Sequence, residues 1–212
     1  MIQAHRQDAR VPLGLLALVT PVLVLTLIFC RAGRLNWLLE VFPALLGYVA
    51  LAATYRRMRL SNFCYVAVFL HTLVLVYGAF YTYAETPLGN WAKSAFHLSR
   101  NHYDRVGHLA LGFFPVSIIK EVLLRATALR RGGWFTFIVL SVVLVVAAGY
   151  EFIEWGSTYI FASDVGQAFL GSQGDPWDAQ WDMLLGLVGG AVGYVALAPL
   201  HNKSMARAVA PP

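Results

Sequence analysis

Apolar runs of about 20 residues alternate along the chain with short polar breaks. A helix rises 1.5 Å per residue, so roughly 20 apolar residues cross a hydrocarbon core of roughly 30 Å. Six runs meet that length, at about 11–30, 36–55, 62–82, 104–124, 134–156 and 180–199. The pattern predicts an all-α, polytopic membrane helix bundle with six transmembrane helices, a single domain over residues 1–212. Two connections are long, 83–103 and 157–179, and both carry the glycines and prolines that interrupt regular structure. The first run is too long for the apolar stretch of a signal peptide and has no small-residue cleavage site. It is expected to be retained as a helix.

The basic residues orient these spans. With the N-terminus inside, the inner segments collect Arg6, Arg10, Arg56, Arg57, Arg59, Lys120, Arg125, Arg130, Arg131, Lys203 and Arg207. The outer ones collect Arg31, Arg34, Lys93, Arg100 and Arg105. Eleven against five predicts N-in, C-in topology, with both long loops outside. All six tryptophans fall at or beyond span ends, where the indole ring favours the interface. Trp134 marks the inner face, and Trp37, Trp91, Trp155, Trp177 and Trp181 the outer one. Cys30 and Cys64 then lie at opposite faces, and no disulfide is expected between them.

Composition agrees. The chain is 58% hydrophobic and 13% charged, with mean hydropathy +0.62, whereas soluble domains carry about 25% charged residues. The net charge of +5 sits in short loops, without the basic stripe and interleaved aromatics of a nucleic-acid binder. Membrane lipids are the expected partners; nucleic acid is not, and the oligomeric state stays open.

Against this apolar background the acids stand out, because charge in or beside a bilayer is costly. Asp104 and His108 are four apart and share a helix face near the outer end of the fourth span. Glu151 and Glu154 share a face near the outer end of the fifth. Asp175, Asp178 and Asp182 open the sixth, where Pro176 suits a first helical turn and makes Asp175 a candidate N-cap. Glu40 near the outer end of the second span is a weaker candidate for the same cluster, and His71 lies alone mid-span. Arg100, His102 and Arg105 are placed to bind an anionic group. Glycines 186, 189, 190 and 193 provide the small surface that close helix packing in lipid needs, here expected within one bundle.

Three separated segments thus bring carboxylates and a histidine to one membrane face. Oxygen ligands suit Mg, Mn or Ca, and adding His108 admits Zn. The candidate ligands of a divalent metal are Asp104, His108, Glu151, Asp178 and Asp182. The candidate catalytic groups are Glu154, Asp182 and His108, and the candidate substrate-binding groups are Arg100, His102 and Arg105. There is no GxSxG, HExxH or P-loop. The expected function is a metal-dependent enzyme with an outward-facing site acting on a lipid or lipid-linked phosphate. A cation- or ligand-binding membrane protein and a small ion-coupled transporter are the alternatives.

The strings YTYAETPLG, HLSRNHYDRVGH, YEFIEW and GSQGDPWDAQWDM resemble the YjdF-type bacterial inner-membrane proteins, over about 36–193. That resemblance implies a multi-pass protein of the bacterial inner membrane and assigns no function. A looser likeness is to VanZ-like membrane proteins. Asp104, Arg105 and His108 match that pattern's opening, Glu151 its glutamate, and Asp178, Asp182 and Gly186 its last series. Glu154 stands where a glutamine is expected and Asp182 where an asparagine is. Those two replacements add negative charge and favour a cation in the site.

Overall fold

The apolar runs fold as helices, and among the described residues nothing else regular forms. The structure is a computed structural model that describes residues 9–161 and 163–209. Arg6, counted above toward the inner charge, lies outside them. Helices α1 (Arg10–Phe29), α2 (Arg34–Thr54) and α3 (Asn62–Tyr81) form one sub-bundle. A 3-10 turn (Tyr83–Glu85) and the short α4 (Pro87–Ala95) follow. Then come α5 (Tyr103–Phe113), α6 (Val116–Ala126), α7 (Gly133–Ile160), α8 (Ser163–Leu170), α9 (Asp178–Ala196) and α10 (Ala198–Val209).

Among the described residues four helices, α1, α2, α3 and α7, are long and apolar enough to cross a membrane. The pair α9–α10 adds a fifth if its 62° bend lies within one span. The chain is therefore a multi-pass, all-helical membrane protein. The fourth expected run differs from a simple span. It is split at Phe114–Pro115 into two helices of 11 residues. Proline has no N–H to donate to the preceding turn, so the backbone ladder is interrupted there.

Helices α5 and α9 run parallel and pack on glycine. A Cβ at Gly112 would stand 1.8 Å from the Gly186 carbonyl oxygen, and one at Gly189 would stand 2.0 Å from that of Leu109. Gly193 faces the Phe113 carbonyl oxygen in the same way. The glycine stripe is thus consumed inside the bundle, as the spacing implies. Because the two helices are parallel, their N-terminal ends meet at one end of the molecule. Their unpaired N–H groups favour negative charge there.

Two expectations change with packing. Trp37 sits at a span end but is buried in a core with Val41, Leu75 and Tyr103, not at a lipid interface. Lys120 is not in a loop; it is buried on α6, donates to the Tyr194 carbonyl (3.1 Å) and lies over the Tyr194 ring. Trp91, Trp134, Trp155, Trp177 and Trp181 are exposed, as an interfacial role requires. Both cysteines are free thiols.

Candidate functional site

The first turn of α5 and the first two turns of α9 place Asp104, Asp178 and Asp182 side by side, and the C-terminal part of α7 adds Glu151 and Glu154. Glu40 arrives from the start of α2. These six acids are each at most 7% exposed, so their charges cannot simply be solvated.

His108 is the hub. Its Nε2 lies 3.6 Å from Asp104 Oδ1, 3.4 Å from Glu151 Oε1 and 4.0 Å from Glu154 Oε1. Asp104, His108 and Asp182 offer ligand atoms within 4.8 Å of one another, and so do His108, Glu151 and Glu154. Both groups share the histidine. Three carboxylate oxygens here are buried without a hydrogen-bond donor: Asp104 Oδ2, Glu151 Oε1 and Asp182 Oδ1. A cavity of about 10 Å³ lies among Glu40, Tyr83, Asp104, His108, Tyr150 and Glu154. That is room for about one water-sized species.

Arg100 is committed to the protein. It pairs with Asp178 Oδ1 and donates to the carbonyls of Ser172 (3.0 Å) and Gly171 (3.2 Å). It also lies within ion-pair reach of Asp175 (3.7 Å) and Asp104 (3.9 Å). Gly171 has φ +65, and a Cβ there would stand 3.4 Å from Asp104 Oδ2. The left-handed backbone is what favours glycine here, since a Cβ would meet that oxygen only at ordinary contact distance. Arg105, one-fifth exposed, pairs with Asp175 at 2.5 Å and stacks over Trp181. His102 precedes α5 at the rim. Partial burial, with the charges of Arg105 and Arg100, holds its imidazole below the ordinary range.

Two capping expectations resolve differently. Asp104 makes no cap hydrogen bond; His102 occupies the N-cap position and Asp104 turns toward His108. Helix α9 begins at Asp178, not at Pro176. Asp175 Oδ1 instead accepts from Trp177 N–H (3.0 Å). This side-chain turn replaces a helical first turn. The Trp177 N–H also holds the Asp175 carboxyl below the usual carboxylate range. His71 stacks on Phe114 (6.2 Å), in the middle of the bundle.

The two long loops lock together over the cluster. Gln173 Nε2 donates to the Asn101 carbonyl (2.8 Å) while its Oε1 accepts from Asn101 N–H (3.1 Å). The Asn101 side chain bonds Thr86 and Asn90. Gln173→Ala should free this clasp at a cost of about 1–2 kcal/mol, the size of one or two net hydrogen bonds. Hydrogen exchange is expected to accelerate several-fold at residues 98–102, with the core of α7 unchanged.

Known proteins give the family. Residues 11–203 match the family described as "Predicted membrane protein (DUF2238)". The chain belongs to the DUF2238 family. Within it, this chain is 38% identical to the Inner membrane protein YjdF of Escherichia coli (strain K12) over 197 residues, covering 91% of this chain and 94% of that protein. No solved structure matches.

One feature of this chain was not anticipated from its sequence: a second polar group at the opposite end of the bundle, formed by Ser61, Cys64, Glu121 and His201. The signal was present. Lys120 and Glu121 lie inside the fourth apolar run, and an intramembrane ionisable residue is a functional candidate by default.

Proposed function

We propose that the chain is an inner-membrane protein whose Asp/Glu/His cluster holds a divalent cation and acts on a lipid-linked or headgroup phosphate. One observation carries this reading: three buried carboxylate oxygens without donors converge around His108. A buried carboxylate without a counter-charge takes up either a proton or a cation, and a cation among several such groups relieves them together. Of the three oxygens Arg100 reaches only Asp104 Oδ2, at 3.9 Å and beyond hydrogen-bond range, because its N–H groups go to Asp178 and two carbonyls.

In this reading the chain crosses six times with both termini inside. The broken pair α5–α6 forms one crossing, and the cluster faces outward. Asp104, His108, Glu151 and Asp182 are the ligands, and Asp178 is held beside them by Arg100. A cation held there would supply Lewis acidity toward a water and toward phosphate oxygens. Glu154, against the small cavity, accepts the proton. Arg105 and His102 at the rim take the phosphate, with Arg105 exchanging Asp175 for it, and Arg100 positions the loops. Magnesium, manganese or calcium suits the oxygen-rich set, and zinc suits the histidine.

A second reading is a cation that only ties helix ends together. The loop clasp over the cluster favours it, because the ligands are sealed from solvent.

Plasma mass spectrometry of the detergent-purified protein is the test, beside Asp104→Ala/Asp182→Ala. A stoichiometric metal lost in the double variant is expected, together with metal-dependent phosphate release from lipid-linked phosphates that Glu154→Gln suppresses at least about 100-fold, the scale of a general base. A bound metal with no turnover would leave the structural reading. Equal metal content in the two proteins would overturn both.

A further inference from the structure

The end of the bundle opposite the acid cluster carries a group of different chemistry. Cys64 from the first turn of α3, Glu121 from α6 and His201 from α10 converge there. All three are at most 1% exposed. Cys64 Sγ lies 3.3 Å from Glu121 Oε2 and 3.7 Å from His201 Nε2, and His201 Nε2 lies 3.2 Å from the same Oε2.

These separations, which are also hydrogen-bond contacts, lie within roughly 0.3 Å of the edges of a zinc tetrahedron. Zn–S of about 2.3 Å with Zn–N and Zn–O of about 2.0–2.2 Å gives ligand–ligand edges of roughly 3.3–3.7 Å. The carboxylate is divided in the way such a site needs. Oε1 accepts from Ser61 N–H (2.7 Å) and from Arg125 Nη1 (2.7 Å), which fixes the group. Oε2 meets the thiol and the imidazole. Arg125 is itself anchored on the Arg59 carbonyl (2.6 Å). The other imidazole nitrogen, His201 Nδ1, is buried without a hydrogen-bond partner among the described residues, and it would carry the proton when Nε2 holds a metal. Ser61 Oγ lies 3.7 Å from the sulfur as a fourth neighbour.

We infer that Cys64, Glu121 and His201 form a zinc site that joins α3, α6 and α10, separate from the outer cluster and of softer donor character. Sulfur, nitrogen and one carboxylate oxygen select zinc over magnesium or calcium. Binding deprotonates the Cys64 thiol and releases that proton to solvent. The three helices are far apart in sequence, so the ion holds the bend between α9 and α10 against the rest of the bundle.

The test uses reduced, full-length protein in detergent carrying Cys30→Ser, which leaves Cys64 as the sole thiol. It is stripped with chelator and titrated with cobalt(II), followed by zinc. A thiolate-to-cobalt charge-transfer absorption is expected that saturates at one ion per chain and is bleached by zinc. Adding Cys64→Ser should abolish it. Adding His201→Ala should weaken cobalt binding at least about 100-fold, beyond the 10–100-fold of losing an outer-shell partner. Asp104→Ala/Asp182→Ala should leave it unchanged, because the outer cluster has no sulfur; the two sites therefore fail independently. No thiolate absorption in the Cys30→Ser protein, or absorption that survives Cys64→Ser, would overturn the proposal. The Cys30→Ser measurement alone decides it if the other variants do not fold.

Discussion

Gly112→Ala is expected to be among the most damaging single-methyl changes in the chain. The added carbon would sit 1.8 Å from the backbone oxygen of Gly186 and 2.6 Å from the backbone nitrogen of Gly190. No rotamer relieves a clash between a Cβ and a backbone, so α5 and α9 must move apart. Overpacking a close contact costs typically about 1–3 kcal/mol and sometimes more; a backbone-on-backbone clash belongs at the upper end or beyond. At about 2–4 °C per kcal/mol for a chain of this size, the melting temperature in detergent should fall by roughly 6–12 °C. The separation also spreads Asp104 and His108 from Asp182, so any bound metal should be lost with the packing. Gly47→Ala is the control. Nothing lies within 4 Å of a Cβ there, and alanine is the better helix former by about 1 kcal/mol. Equal melting temperatures for Gly112→Ala and Gly47→Ala would show that the α5–α9 contact is not as close as described.

Arg100→Leu is the second large effect. The guanidinium compensates buried Asp178, lies near Asp104 and Asp175, and holds the loop carbonyls of Gly171 and Ser172. Removing one partner of a buried ion pair costs about 3–5 kcal/mol, because the other charge is left uncompensated. The expected fall in melting temperature is about 10 °C. Asp178→Asn paired with Arg100→Leu should recover part of that loss, since the double change removes the stranded charge. A double variant no better than Arg100→Leu alone would place the arginine's contribution in the loop carbonyls instead. Arg100→Lys should recover little, since an ammonium cannot span the carboxylate and both carbonyls at once.

The acid cluster was legible in the sequence as a place. Asp104, His108, Glu151, Glu154, Asp178 and Asp182 each stand out because an ionisable residue beside a long apolar run has few bland explanations. Helical spacing put each pair on one face. Glu40 was visible only weakly, as a single acid at a span end, and its membership depends on α2 docking beside the cluster. The Cys64–Glu121–His201 group was missed for a related reason. Glu121 sits next to Lys120 near the end of the fourth run, Cys64 is a single thiol in an apolar run and His201 follows the last run, so none stands out alone. Only the turn of α10 back onto α3 and α6 brings them together.

Local sequence determined the all-helical membrane class, the lengths of four of the long helices and the glycine face of α9. Hydropathy and residue size act over one or two turns and need no knowledge of neighbours. The tertiary structure decided which charges are compensated and which are stranded. Arg100 meets Asp178 across 78 residues and His201 meets Glu121 across 80. Electrostatic compensation depends on distances of a few ångströms in space, and no periodicity along the chain encodes them.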